Sequence, residues 1–162
     1  MEIQIARMAY QYRKLPAIRK GFSAEFGGNV EFELYAFFEL CYHLKDWMLH
    51  DDRYTEGSAV VEGYINATPA LSICADICNT TKHRKLTRTP RSGTKLGIFR
   101  FVNVMTVGLD EPTSAITQAT ITTHRGIECL YELATECVSE WQKFFDARPH
   151  WQINFGGNFS VR

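Results

Sequence analysis

The sequence predicts a mainly α-helical bundle of about four helices, with one antiparallel β-hairpin inserted before the last long helix. Apolar residues recur at steps of three and four over residues 29–50, 69–85 and 126–146, which is the periodicity of amphipathic helices. Ahead of the last helix, β-branched and aromatic residues are concentrated in two segments around a polar turn. A length of 162 residues with 45% hydrophobic residues suits a single domain over 1–162.

Two helices are expected in the first third of the chain. Residues 3–20 carry apolar side chains near helical spacing despite Pro16, and Gly21 then breaks the pattern. The clearest helix covers residues 29–50, where Asn29 is a plausible N-cap and acidic residues occupy the first turn. Its apolar stripe consists of Leu34, Phe37, Phe38, Cys41, Leu44 and Met48.

A polar connection over residues 51–67 has room for a short helix. Thr68 and Pro69 then have the residue types of an N-cap and first helical position, and this helix is expected to run to about Lys85. Residues 86–94 contain proline, glycine and hydroxyl side chains, which indicates a loop.

The hairpin is expected over about residues 95–123. Its strands are residues 95–108 and 115–123, and the connecting LDEPTS segment is turn-forming. A two-stranded ribbon is marginally stable alone, so it should pack on the helices. The helix over 126–146 follows, and the tail over about 148–162 is expected to be irregular.

Composition favours a cytoplasmic protein without membrane association. The N-terminus lacks the apolar core of a signal peptide, and no segment approaches the roughly 20 apolar residues of a membrane span. The five cysteines are odd in number and mostly fall on apolar helix faces, which favours reduced core residues. Cys74 and Cys78 have a spacing that helical metal ligands can use, but no second pair is nearby, so neither a metal nor another cofactor is expected.

Two helices carry a polar stripe opposite their apolar one. On the helix over 29–50, at the spacing i, i+4, i+7, i+11, the stripe contains Glu39, His43, Asp46 and His50. On the helix over 69–85, at the same spacing, it contains Ser72, Asp76, Asn79 and His83. Both stripes are compatible with plain solvated faces. The eight residues include three histidines, which favours a shared crevice of proton-transfer groups. Aromatic residues also flank the first stripe, which favours a covered surface such as a dimer interface.

The charge is unevenly distributed although lysine plus arginine and aspartate plus glutamate both number 18. Residues 77–109 contain no acidic side chain. A basic loop beside histidine and asparagine suits a phosphate backbone, as in RNA, although a solubilising loop that pairs with acids elsewhere is the alternative. The expected phosphate-binding residues are Lys82, Arg84, Lys85, Arg88 and Arg91.

Two segments, FFELCYHLKDWMLHD at 37–51 and LSICADICNTTKHRKL at 71–86, resemble the helical core of small prokaryotic proteins related to the HEPN superfamily. The resemblance rests on the run HLKDW at 43–47 and on N-x-x-K-H at 79–83, and it covers about residues 29–86. It implies a helical bundle that forms homodimers in toxin–antitoxin or antiviral defence systems, where many members are metal-independent ribonucleases.

The resemblance also implies roles for individual residues. The family motif is an arginine followed after four to six residues by a histidine, which here is His83. No arginine stands at the matching positions before His83, where Asn79 and Lys82 are nearby instead. RNA cleavage would use His83 as acid or base, with His43 second. Asn79 and Asp46 would orient the histidines, and Lys82 and Arg84 would stabilise the phosphorane.

Two other classes of function remain open. The chain could be a non-enzymatic dimeric interaction module, or a phage- or plasmid-type inhibitor, that binds a protein partner through the aromatic-flanked stripe. A metal-dependent hydrolase using His43, Asp46 and His83 is the third interpretation, because two histidines and a carboxylate can bind transition metals.

Overall fold

The computed structural model describes residues 1–19, 30–82, 89–93, 95–106 and 114–159 of the chain. The fold is mostly helical, with a small antiparallel sheet before the last long helix, and this confirms the predicted fold class. In chain order the elements are α1 (Glu2–Arg19), α2 (Val30–Leu49), α3 (Ser58–Ala67), α4 (Pro69–Lys82), β1 (Arg100–Thr106), β2 (Ser114–Thr123), β3 (Gly126–Cys129) and α5 (Leu130–Asp146). None of the described helices is long and apolar enough to cross a bilayer.

The bundle is centred on α4. This helix contacts α2, α3 and α5, while α1 packs on α2 and α5. Every residue from Ala70 to Cys78 is buried, so α4 has no solvated face over that stretch. The expectation of an outward polar stripe on this helix is therefore wrong for Ser72 and Asp76, which are only 3% and 2% exposed.

The sheet has three strands in the order β1-β2-β3, one more than the predicted hairpin. The extra strand, β3, replaces the first four residues of the helix expected at 126–146. Gly126 has a φ of 111°, a conformation that favours glycine, and it lets the chain turn back so that Thr123 pairs with Gly126 and Thr120 with Cys129. The sheet packs on α1 and α5, and Ala119 and Ile121 of β2 are buried there.

The tail is part of the core. It contains two 3-10 turns, at Pro149–Trp151 and Gly156–Asn158, in place of the expected irregular chain. Its large side chains Trp151, Phe155 and Phe159 are buried. Phe155 stacks between Phe145 of α5 and Phe159, with ring centroids 5.0 and 4.6 Å away. Aromatic packing thus attaches residues 149–159 to the last helix.

Candidate functional site

His43 and Asp46 form a half-exposed polar pair on α2. The two side chains are one helical turn apart, and Nδ1 of His43 lies 2.8 Å from Oδ2 of Asp46. They are 43% and 44% exposed, so a ligand can reach them. The carboxylate can only accept, so Nδ1 carries the proton of this bond and Nε2 of a neutral imidazole is left as an acceptor.

The other ring nitrogen of His43 faces α4. The Sγ atom of Cys78 lies 3.8 Å from Nε2 of His43, which completes a thiol–imidazole–carboxylate chain between the two helices. This order matches an activated thiol nucleophile. However, Cys78 is only 3% exposed, and it lies near the C-terminal end of α4, where the helix dipole disfavours a thiolate. Within this thiol–imidazole–carboxylate chain, the accessible proton-transfer group is therefore the imidazole of His43.

Neighbouring charges keep Asp46 ionised. Burial acts to raise the pKa of this carboxyl, but the hydrogen bond from His43 and the ammonium of Lys45 outweigh it, so the pKa is lowered. The Nζ atom of Lys45 is 3.4 Å from Asp46 and 2.7 Å from Glu62 of α3. An ionised Asp46 holds the imidazole in one tautomer and would stabilise it once protonated.

The remaining members of the two predicted stripes lie in different surroundings. His50 is exposed, and its Nδ1 bonds to the backbone carbonyl of Asp46 at 2.7 Å. Asn79 is half-buried and directly follows Cys78, the residue that contacts His43. Of the four residues expected to converge, His43 and Asp46 are in contact, Asn79 is the sequence neighbour of Cys78, and His83 lies outside the described residues.

Most of the predicted phosphate-binding set also lies outside the described part of the chain. The backbone of Lys82 ends α4, but its side chain is not among those described. The same holds for the whole of Arg84, Lys85 and Arg88. Arg91 is therefore the one member of the set whose side-chain contacts can be given.

Arg91 is engaged by groups from two helices. Its Nη1 lies 2.6 Å from Glu62 and 2.9 Å from Asn66 of α3, and its Nη2 donates to the hydroxyl of Tyr42 at 3.0 Å. Burial acts to lower the pKa of Arg91, yet the bond to Glu62 outweighs it and the pKa is raised. Since Glu62 neutralises this guanidinium, Arg91 chiefly fixes the loop onto the bundle. Tyr42 and Glu62 were absent from the predicted site, because nothing in the local pattern links them to Arg91.

Asp76 of α4 holds the loop at Arg91 and Ser92 through hydrogen bonds to its backbone. Its two carboxylate oxygens accept the backbone N–H groups of Arg91 and Ser92 at 2.7 and 2.8 Å. The N–H donors satisfy a carboxylate that is 2% exposed, which makes its burial tolerable. A residue that the helical wheel placed on an outward polar stripe is thus the support that holds residues 91 and 92 beside α4.

No protein-family model, no curated protein and no solved structure matches this chain.

Proposed function

We propose that this chain is a cytoplasmic, homodimeric HEPN-like protein that binds RNA and cleaves it without a metal ion, with His43 as the group that moves the proton. The observation that carries the proposal is the half-exposed His43–Asp46 pair at the junction of α2 and α4. Neutral imidazole oriented by an ionised carboxylate is an effective general base near neutral pH.

The surrounding charge supports a phosphate-containing substrate. Helix α4 leads from Cys78, in contact with His43, into the part of the chain that contains no acidic residue up to position 109. Asp76 ties residues 91 and 92 of this segment back to the same helix. Both ends of the basic stretch 82–91 are therefore held at α4, the helix that contacts His43 through Cys78.

The proposed reaction is an intramolecular transfer at phosphorus. Nε2 of His43 takes the proton of a ribose 2′-hydroxyl, and the 2′-oxygen attacks the adjacent phosphorus. The bond from phosphorus to the 5′-oxygen breaks, and that oxygen takes up a proton from water, which leaves a 2′,3′-cyclic phosphate and a 5′-hydroxyl. The weak 3.8 Å contact from Cys78 is replaced by the stronger O–H···N bond of the substrate.

A cleavage assay on a single-stranded RNA, with EDTA present, tests this proposal. His43→Ala should lower the cleavage rate by about 10²–10⁴-fold, the usual contribution of a general acid or base. Asp46→Asn should give a smaller loss, because the imidazole remains but loses its orienting charge.

His50→Ala is the matched control, since His50 is an exposed histidine on the same stripe that bonds only to the backbone carbonyl of Asp46 among the described contacts. It should cleave like the wild type. Equal rates for His43→Ala and the wild type would refute the role of His43. If the wild type binds RNA but does not cleave it, the proposed nuclease activity is refuted.

A second candidate function, a non-enzymatic dimeric module that binds a protein partner, is favoured by exposed apolar side chains. Ile3 and Tyr10, two turns apart on α1, are 62% and 61% exposed, and Phe32 of α2 is 70% exposed. If this surface is the functional one, Tyr10→Asp should change the oligomeric state in sedimentation. Wild-type protein should then show no salt-sensitive affinity for RNA.

A further inference from the structure

Three cysteines from three different helices meet in the centre of the bundle. They are Cys41 of α2, Cys74 of α4 and Cys137 of α5, and they are 0%, 1% and 0% exposed. Their sulfur atoms all lie within 4.8 Å of one another. The group is separate from the His43–Asp46 pair, and neither the proposed function nor the fold class requires sulfur here.

The spacing fits a three-coordinate metal ion. A metal–sulfur bond of about 2.3 Å in a trigonal arrangement places the sulfurs about 4.0 Å apart. In the structure the sulfurs are at most 4.8 Å apart, and small rotations of the three side chains would bring them to the spacing of the metal site. Among the described residues, the three thiols are joined by no histidine, carboxylate or further cysteine. The set is therefore one ligand short of the tetrahedral site that zinc prefers.

A hydrogen-bond donor also points to a ligand at this position. The indole nitrogen of Trp141 is buried and has no hydrogen-bond partner within the part of the chain that the structure describes. Trp141 lies near the sulfur of Cys41. An N–H donor without a partner beside a ligating sulfur can support a thiolate metal site from the outer shell.

The other two sulfurs act as thiols in the metal-free protein. Cys74 contacts the carbonyl of Phe38 at 3.4 Å, and Cys137 contacts that of Ala70 at 3.4 Å.

We propose that Cys41, Cys74 and Cys137 form a buried trigonal site for one soft monovalent cation of the copper(I) type. Thiolate ligands select such ions over harder ones. Each thiol gives up a proton when the metal–sulfur bond forms, so binding releases protons and tightens as the pH rises. Entry requires separation of α2, α4 and α5, so uptake should be slow.

Anaerobic titration with copper(I), in competition with the chromophoric chelator bicinchoninate, tests the site. The full chain should bind one ion in competition with the chelator. Cys74→Ala removes a metal ligand and should weaken binding by more than about 100-fold, because loss of an outer-shell partner alone already weakens metal binding by up to that factor. Cys129→Ala, which removes a half-buried cysteine outside the group, should bind like the wild type. No binding by the wild type, or equal binding by Cys74→Ala, overturns the proposal.

Two further measurements keep the test decisive if Cys74→Ala does not fold. X-ray absorption of the copper-loaded wild type should show three sulfur neighbours at one distance, and a two-sulfur linear site would overturn the proposal. Trp141→Phe keeps the ring packing but removes the N–H, and it should weaken binding by about 10–100-fold. Unchanged affinity in a folded Trp141→Phe protein would contradict the arrangement proposed here.

Discussion

Replacement of Asp76 by alanine should destabilise the protein by about 3 kcal/mol. The carboxylate accepts two backbone N–H bonds, from Arg91 and Ser92, and bonds to a charged acceptor contribute about 1.5–3 kcal/mol each. Part of the loss is recovered because the two N–H groups belong to a surface loop and can bond to water, so the expected value is near the lower end of the sum.

Urea unfolding measures this loss directly. With a slope of about 2 kcal/mol/M, 3 kcal/mol corresponds to a fall of about 1.5 M in the unfolding midpoint. Asp76→Asn should be intermediate, because the amide oxygen can replace only one of the two acceptors. Asp52→Ala is the control: this exposed aspartate should change stability by less than about 0.5 kcal/mol.

The amides of Arg91 and Ser92 should also exchange with solvent faster in Asp76→Ala than in the wild type, because their acceptor is gone. A folded Asp76→Ala protein with an unfolding free energy within about 0.5 kcal/mol of wild type would refute the reasoning. It would mean that the carboxylate does not hold the loop on α4.

Two other predictions concern contacts away from the site. Arg148 donates to both carboxylate oxygens of Glu56, and its guanidinium carbon lies 3.7 Å from the ring centre of Phe144. Arg148→Lys should therefore lower the free energy of unfolding by about 1–2 kcal/mol, measured in urea, and no loss would contradict this expectation. Burial and the nearby Glu140 raise the pKa of Tyr64 to about 12. In the unfolded chain the phenol ionises near its ordinary pKa of 10.0, so the contribution of Tyr64 to the free energy of unfolding should be constant below pH 10 and fall between pH 10 and pH 12. Tyr64→Phe should make this decline shallower.

The helices and hairpin strands were predictable because their signals are local. Apolar residues at steps of three and four identify α2 and α5, and the His43–Asp46 contact follows from the same helical spacing. The strand β3 was not predictable in this way. Its four residues are too few for a period, and they are extended because they pair with β2.

The surroundings of α4 depend on contacts that no local pattern records. A wheel drawn for α4 places Asp76 opposite Cys74 and so suggests solvent, but residues 91 and 92 cover that face. Likewise, the pairing of Arg91 with Glu62 joins positions 29 residues apart. The meeting of Cys41, Cys74 and Cys137 required the packing of three helices, although each residue was expected on an apolar face.

Ultraviolet cross-linking of a bound RNA oligonucleotide, followed by mass spectrometry of the linked peptides, tests most directly whether RNA occupies the His43–Asp46 face. We expect the cross-links to fall on residues 42–50 of α2 and on the segment 79–93, with loss of the α2 cross-links in His43→Ala and their retention in His50→Ala. Cross-links confined to the sheet or to the tail over 149–159, or no cross-links at all, would contradict the proposed site.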